Sequence, residues 1–276
     1  MRMKYIKMNG IGNAFVVLDA RRDPFVLTPD QAKKIANPET GVKCDQILIL
    51  ENSDKCDVFM RIWNSDGETV AACGNGTRAV GWLIANEKKS HEVSIETEAG
   101  QLFAKLIGPM RVSVDMGKPG LDWTQIPLSE RMDTIRMELQ VGPIDRPILW
   151  GPGAVSMGNP HCVFFVDDAE TAPVVQVGSM IEHHPLFPER ANIGFAQVIN
   201  RSHIRLKVWE RGAGLTLACG TGACAAMVAA SRRKLVGRQA TVILDGGELE
   251  IEWRLEDDHV IMSGVVEFEG SGELSF

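Results

Sequence analysis

The pattern of hydrophobic and polar positions predicts many short strands and few helices. Short runs rich in β-branched and aromatic residues, which are typical of strands, recur along the chain. The clearest of these runs in the first half are 14–18, 46–50, 58–63, 93–96 and 111–115. Because strands outnumber helices and the two do not alternate, the pattern favours an α+β fold over a doubly wound α/β fold.

Helices are predicted at a small number of places. Thr28 has the properties of an N-cap, and Gln31, three residues later, completes a capping box. An apolar stripe with helical spacing follows Cys73, and another follows Cys219. Both of these later helices are rich in small residues, which suits a helix at the centre of a lobe wrapped by a sheet.

The chain carries an internal duplication. A shift of 146 residues aligns four separated blocks without a gap, and a single register over four blocks is hard to obtain by chance. The matching blocks are Gly12-Asn13 with Gly158-Asn159, Gln46-Ile47 with Asn192-Ile193, Trp63 with Trp209, and Ala72-Cys73-Gly74 with Ala218-Cys219-Gly220. We therefore predict two structurally similar lobes, each a strand-rich sheet wrapped around a central helix, with the active site in the cleft between them.

The Gly- and Pro-rich stretch 117–120 marks the predicted boundary between the lobes. The N-terminal lobe is expected to cover residues 1–118, and the C-terminal strand 264–276 is a candidate to complete it. The C-terminal lobe is expected to cover residues 119–263. A copy of the helix that begins after Thr28 is expected at 178–183.

Charge and composition exclude several classes of function. The 29 Lys and Arg residues against 36 Asp and Glu give a formal net charge of −7, which argues against nucleic acids and anionic membranes as partners. No apolar run has transmembrane length and no leader follows Met1, so a cytoplasmic location is expected. No two of the six cysteines have the two-residue spacing of a zinc site, so no metal is expected.

The duplicated cysteines predict two-base chemistry. Cys73 and Cys219 each precede a Gly-x-Gly sequence that opens a helix. The free N–H groups and the dipole of a helix start shift a thiol towards thiolate, and they also bind a carboxylate. Two pseudo-symmetric lobes can bring one thiol to each face of a carbon, which is the arrangement that inversion of a stereocentre requires. One such cysteine alone would be read as an ordinary buried thiol.

These motifs resemble those of the diaminopimelate epimerase family. The resemblance implies interconversion of LL- and meso-2,6-diaminopimelate in lysine and peptidoglycan synthesis, in a bacterial cytoplasm. It implies no pyridoxal phosphate, metal or nicotinamide cofactor. The stretches that carry the resemblance are 8–13, 45–46, 64–67, 73–78, 157–161, 192–195, 209–214 and 217–222.

The resemblance also assigns site residues. Cys73 and Cys219 match the catalytic pair, with Cys219 as the proton acceptor and Cys73 as the donor in the LL to meso direction. His161 and Glu210 match groups that tune the pKa of the thiols. The residues that match substrate contacts are Asn13, Gln46, Asn64, Gly74, Asn75, Asn159, Asn192, Glu210, Arg211, Gly220 and Thr221.

Without the resemblance these polar residues have simpler interpretations. The asparagines could be turn residues, Glu210 and Arg211 a solvated pair, and His161 a core histidine as readily as a tuning group. Three positions also depart from the family pattern. Asn9 stands where His is common, Ala14 where Asp is common, and Leu215 where the residue is usually acidic.

Two alternative functions remain open. One is a proline or hydroxyproline racemase of the same architecture, although Asn64, Glu210 and Arg211 suit a substrate with a distal zwitterion better. The other is a non-catalytic amino-acid-binding or redox-sensing protein that switches through a Cys73–Cys219 disulfide. In each case the partner is a small amino acid, and a homodimer is one candidate for the oligomeric state.

Overall fold

The computed structural model describes residues 2–275. The α-helices within these residues are α1 (Pro29–Ala36), α2 (Gly74–Lys88), α3 (Val174–Glu182) and α4 (Gly220–Arg232). The strands are β1 (Arg2–Asn9), β2 (Ala14–Asp19), β3 (Gln46–Glu51), β4 (Val58–Asn64), β5 (Thr69–Val70), β6 (Glu92–Thr97), β7 (Gly100–Gly108), β8 (Arg111–Asp115), β9 (Gln140–Val141), β10 (Leu149–Trp150), β11 (Gly153–Ser156), β12 (Pro160–Phe165), β13 (Asn192–Asn200), β14 (His203–Glu210), β15 (Gly214–Thr216), β16 (Gln239–Leu244), β17 (Gly247–Trp253), β18 (Val260–Val265) and β19 (Glu267–Ser275). Within residues 2–275 no helix is both long enough and apolar enough to cross a membrane.

The chain divides into two compact units. The first unit comprises the residues up to Asp115 together with those from Ser263 onward, and the second unit comprises Met116–Met262. Helices α1 and α2 lie in the first unit, and helices α3 and α4 lie in the second. Strands outnumber helices in both units, which confirms the predicted α+β class.

The first unit is a strand-rich sheet wrapped around a helix. Strands β19, β1, β2, β3, β4, β6, β7 and β8 pair in that order, and the short β5 pairs with β4. The β2–β3 and β4–β6 pairs are parallel, and the other pairs are antiparallel. Each parallel pair is connected through a helix, as a crossover between parallel strands requires. Helix α2 contacts β6, β7 and β8.

The second unit repeats this arrangement. Strands β11, β12, β13, β14, β16 and β17 pair in that order, and the short β15 pairs with β14. Here β12–β13 and β14–β16 are the parallel pairs, at the positions that β2–β3 and β4–β6 occupy in the first unit. Helix α4 contacts strands along the whole of this sheet, from β11 to β17.

The strand register preserves the duplication residue by residue. Cα partners that keep the 146-residue shift are Phe15–Gln46 with His161–Asn192, and Ile47–Trp63 with Ile193–Trp209. Helices α2 and α4 also begin 146 residues apart, at Gly74 and Gly220. The same backbone hydrogen-bond pattern is therefore built twice, and the predicted duplication is confirmed.

The two central helices are buried on nearly all sides. Every residue from 222 to 230 in α4 is buried, and so is every residue from 74 to 81 in α2. A helix that is enclosed all round needs apolar and small side chains on every face rather than on one stripe. The apolar stripe in the sequence predicted one buried face on each helix, whereas the sheet covers nearly every face.

The outer helices differ in how well their starts could be predicted. Helix α1 begins at Pro29, and the capping box between Thr28 and Gln31 is formed in both directions. Helix α3 begins at Val174, so the predicted start at residue 178 is wrong. Its N-cap, Pro173, provides no side-chain hydrogen bond, and the usual sequence signal for a helix start is therefore missing.

Helix α3 lies directly against β14 at Gly178. A Cβ atom at residue 178 would lie 2.5 Å from the ring of Trp209, so a larger residue would force the helix away from the strand. This close approach brings the C-terminal end of α3 next to the turn that follows β14. That turn carries the predicted site residue Arg211, and Glu210 is the last residue of β14 before it.

Candidate active site

Cys73 is the N-cap residue of the central helix in the first unit. Its backbone is extended, with φ −148° and ψ 108°, and its Sγ accepts a hydrogen bond from the Gly76 N–H at 3.3 Å. The N–H groups of Gly74 and Asn75 belong to the first turn, where a helix provides no acceptor of its own. Within residues 2–275 the buried Asn75 Oδ1 also has no hydrogen-bond partner. The N–H groups of this helix start can therefore hold an anion beside a thiol, whereas Asn75 Oδ1 is an acceptor for a ligand donor such as an ammonium.

The other predicted site residues of the first unit lie at strand ends. Gln46 and Asn64 are Cα partners across β3 and β4, and Gln46 Nε2 donates to Asn64 Oδ1 at 2.9 Å. The buried Gln46 Oε1 has no hydrogen-bond partner among the described residues, so it is available to a ligand ammonium. Asn13 Nδ2 donates to Asp45 Oδ2 at 3.2 Å. The structure therefore brings Gln46 and Asn64 together and fixes Asn13 through Asp45.

Cys219 occupies the equivalent position in the second unit. Its backbone is again extended, with φ −131° and ψ 107°, and its Sγ accepts a hydrogen bond from the Gly222 N–H at 3.3 Å. A Cβ atom at residue 222 would lie 3.1 Å from this Sγ, so glycine allows the helix start to close around the thiol. The Thr221 Oγ1 lies 3.6 Å from the same sulfur.

The electrostatic environment of Cys219 differs from the prediction. Burial raises the pKa of the Cys219 thiol well above its ordinary value, and the neighbouring Glu210 carboxylate raises it further. Hydrogen bonds from Thr221 and the Gly222 N–H act in the opposite direction but do not overcome these two effects. The expectation that a helix start shifts this thiol towards thiolate is therefore wrong for Cys219. Its resting form at neutral pH is the thiol.

Glu210 lies beside Cys219 and is itself perturbed. Burial raises the pKa of the Glu210 carboxyl group, whereas hydrogen bonds from Thr216 and Cys219 lower it. The Thr216 hydroxyl donates to Glu210 Oε1 at 2.5 Å, which fixes the orientation of the carboxylate. A carboxylate that lies beside a thiol is placed to take the proton of that thiol.

A chain of polar side chains connects His161 to Cys219 within the second unit. Burial, followed by the charge of Arg211, lowers the pKa of His161 to about 3, so the ring is neutral at physiological pH. Its Nε2 lies 2.9 Å from Asn159 Oδ1. Asn159 Nδ2 in turn donates to Thr221 Oγ1 at 3.5 Å, and Thr221 faces the Cys219 sulfur. These contacts connect His161, Asn159, Thr221 and Cys219, which the sequence analysis had assigned to the site one by one.

Arg211 lies in the exposed turn between β14 and β15. Its backbone N–H donates to Asn192 Oδ1 at 2.9 Å, and its Nη1 donates to the Glu189 carbonyl oxygen at 2.9 Å. Asn192 is buried and is held by a bond from its Nδ2 to the Pro160 carbonyl oxygen at 3.2 Å. The Arg211 guanidinium therefore lies at the surface of the second unit, on a turn that the buried Asn192 side chain holds in place.

Sequence reasoning missed several residues that hold the site together. Thr216 orients Glu210, and Asp45 binds both Asn13 and the backbone N–H of Ala14. Asp45 could have been suspected, because it directly precedes Gln46. Thr216 carried no signal, since a threonine in a strand is ordinary. Glu182 is another such residue, since its carboxylate accepts from the Gly212 N–H beside Arg211.

The departures from the family pattern leave these contacts intact. Asn9 Oδ1 accepts from the Gly12 N–H at 2.8 Å, and Asn9 Nδ2 donates to Glu269 Oε1 at 2.9 Å. Asn9 therefore fixes the turn that precedes Asn13. Leu215 is 44% exposed and lies opposite Trp209 in the β14–β15 pair.

Comparison with known proteins gives these residues a family context. The family model described as diaminopimelate epimerase matches the chain twice, over residues 5–121 and 153–269. A curated diaminopimelate epimerase from Caulobacter vibrioides is 52% identical over 282 residues, which cover 99% of this chain and 98% of that protein. One from Phenylobacterium zucineum is 54% identical over 274 residues, with 99% and 98% covered. The similarity spans every stretch that carries a candidate site residue.

Among solved structures, a hydroxyproline epimerase from Agrobacterium vitis with bound trans-4-hydroxy-L-proline has a similar fold. The TM-score is 0.69, and the similarity covers 99% of this chain and 91% of that one at 14% sequence identity. Identity this low concerns the fold alone. It confirms the two-domain duplicated architecture without favouring a racemase of cyclic amino acids.

Proposed function

The chain belongs to the diaminopimelate epimerase family, and from this premise we propose that Cys73 and Cys219 exchange protons with one α-carbon of diaminopimelate from opposite faces. The activity is that of an isomerase, which interconverts LL- and meso-2,6-diaminopimelate. The observation that carries the proposed mechanism is the equivalence of the two thiols. Each caps a central helix and accepts an N–H bond of 3.3 Å from the glycine three residues later.

The proton transfers begin at Cys219 in the LL to meso direction. Glu210 accepts the proton of the Cys219 thiol, and the resulting thiolate removes the α-proton of the substrate. Cys73 then donates its proton to the opposite face of the same carbon. The proton on Glu210 and the thiolate of Cys73 return to their initial states by exchange with water. A substrate ammonium group near Cys219 favours this thiolate, because a nearby positive charge offsets the cost of burial.

The helix starts stabilise the carbanion that forms between the two steps. In this proposal the N–H groups of Gly74, Asn75, Gly220 and Thr221 bind the substrate carboxylate beside the reacting carbon. These donors are fixed by the helices before the reaction begins, so they need no reorganisation when negative charge develops. Asn13 and Asn159, which occupy equivalent positions in the duplication, provide further polar contacts.

The distal amino-acid end of the substrate is held mainly by the second unit. Arg211 binds the distal carboxylate, and Asn64, Asn192 and Glu210 provide partners for the distal ammonium group. A guanidinium can form two parallel hydrogen bonds to a carboxylate, and this geometry distinguishes a substrate with a distal zwitterion from proline.

Replacement of Arg211 by lysine is expected to raise the KM for diaminopimelate about 10-fold or more, with a smaller change in kcat. Lysine keeps the charge but cannot reproduce the two parallel hydrogen bonds of the fork. Steady-state kinetics measure both constants. An unchanged KM would place Arg211 outside the substrate site.

Isotope exchange tests the two-base mechanism directly. In heavy water, with the thiols kept reduced, LL-diaminopimelate is expected to yield meso product that carries deuterium at the inverted carbon. The LL substrate recovered at early times is expected to remain unlabelled, because each face has its own base. Deuterium that enters the LL substrate as fast as the product would instead indicate one base that serves both faces.

The remaining alternatives differ from this proposal in measurable ways. A racemase of cyclic amino acids would act on L-proline, and an amino-acid sensor would show no turnover when reduced. We place the reaction in the cytoplasm, and we take residues 1–118 with 264–276 and residues 119–263 as the two lobes. The homodimer stays a prediction.

A further inference from the structure

A buried carboxylate outside the predicted site residues lies at the C-terminal end of α3. Glu182 is 3% exposed, although a free carboxylate strongly favours water. We infer that Glu182 is a positioning residue that fixes the Arg211 turn and thereby sets the affinity for the distal end of the substrate. The inference rests on the proposed role of Arg211.

Both oxygens of Glu182 accept hydrogen bonds. Oε2 accepts from Trp209 Nε1 at 2.8 Å, and Oε1 accepts from the backbone N–H of Gly212 at 3.0 Å. Two further groups face Oε1: the Arg190 guanidinium, with Nη1 at 3.9 Å, and the His183 ring, with Nε2 at 4.0 Å. The carboxylate is thus fully engaged, and its contacts join α3 to β14 and to the turn that follows it.

The bond to Gly212 matters because of its position in the chain. Gly212 directly follows Arg211, and its φ of +76° lies in the left-handed region that favours glycine. The preceding N–H, that of Arg211, is held by Asn192 Oδ1. Two successive backbone N–H groups are therefore fixed by side chains from two other elements. This arrangement determines where the Arg211 side chain leaves the turn.

The first unit shows that the fold itself does not need this carboxylate. The 146-residue shift places Ala36 at the position of Glu182, at the end of α1. Trp63, the counterpart of Trp209, has a buried Nε1 with no hydrogen-bond acceptor within residues 2–275. The corresponding turn is closed by backbone bonds, from Ser65 N–H to Asp45 O and from Gly67 N–H to Asn64 O. The carboxylate anchor is therefore particular to the copy that carries the arginine.

The expected effect is on substrate affinity. Replacement of Glu182 by methionine keeps the length of the side chain but removes both acceptor oxygens, which leaves the Gly212 N–H without its partner. We expect the KM for diaminopimelate to rise about 10-fold, with kcat within about 2-fold of wild type. Glu182→Gln keeps one acceptor oxygen, so its KM is expected to lie between those of wild type and Glu182→Met. It provides a milder variant if methionine impairs folding.

Trp209→Phe is the matched control. It removes the bond to Oε2 but leaves the bond between Oε1 and Gly212, so it is expected to lower the thermal midpoint while the KM stays within about 2-fold of wild type. An equal rise in KM for Trp209→Phe and Glu182→Met would assign Glu182 a general structural role and overturn the inference.

A double-mutant cycle with Arg211→Ala separates the inference from the proposal on which it rests. If Glu182 acts through Arg211, Glu182→Met lowers kcat/KM in the wild-type background but has little further effect in the Arg211→Ala background. The same loss in both backgrounds, or no loss in either, would overturn the role of Glu182. If Arg211→Ala itself leaves kcat/KM unchanged, the assignment of Arg211 to the distal carboxylate fails, and the inference fails with it.

Discussion

Cys73→Ala and Cys219→Ala are each expected to lower the turnover of diaminopimelate by at least about 10³-fold, because in the proposed mechanism each removes the acid or base that serves one face of the carbon. Alanine can neither take nor donate a proton, so neither direction of the reaction can be completed. The double variant is expected to be no worse than either single one, since both steps belong to one reaction. The measurement is the initial rate of LL to meso conversion with reduced enzyme.

Cys44→Ala and Cys56→Ala are the controls, and both are expected to keep most of the activity. Burial, with a smaller contribution from Asp45, raises the pKa of Cys44 to about 12, so this thiol cannot serve as a base near neutral pH. Neither cysteine caps a helix. Near-normal turnover by either Cys73→Ala or Cys219→Ala would contradict the two-base mechanism, whereas inactive controls would point to loss of folding.

The parts of the fold that were predicted correctly depend on local or repeated signals. The capping box at Thr28 and Gln31 is a contact between residues three positions apart, so the sequence displays it directly. The duplication is visible because the strands keep one register over 146 residues. The start of α3 was missed because Pro173 provides no capping side chain. The 146-residue shift applied to Pro29 gives residue 175, close to the observed start at Val174.

The chemistry of the site was less accessible from the sequence. That Cys73 and Cys219 cap helices follows from their local motifs, and the structure contains both caps. The pKa of Cys219 does not follow from its motif, because it depends on burial by the surrounding strands and on Glu210, nine residues earlier on β14. The role of Glu182 is even harder to predict from the sequence. Its carboxylate contacts Gly212 only because α3 packs against Trp209. Such contacts are products of tertiary packing.

A substrate analogue with a halogen at the β-carbon is expected to reveal the division of labour between the thiols. Loss of the α-proton from such an analogue gives a carbanion that expels halide, so elimination needs only one base. Inversion needs the second thiol as well, and a serine hydroxyl is a far weaker acid. Cys→Ser variants should therefore separate the two halves of the reaction.

The two variants are expected to release halide from opposite stereoisomers of the analogue. Cys73→Ser keeps Cys219 and should release halide from the isomer with the LL configuration, whereas Cys219→Ser should release it from the opposite isomer. The helix N–H donors around Gly74 and Gly220 remain in both variants, so each can still stabilise the carbanion. Each variant should prefer its own isomer by about 10²-fold or more, because the wrong isomer presents its α-proton to serine. Halide release measured for both isomers with both variants decides the matter. If both variants prefer the same isomer, or neither releases halide, the assignment of one thiol to each face is wrong even if both cysteines prove essential.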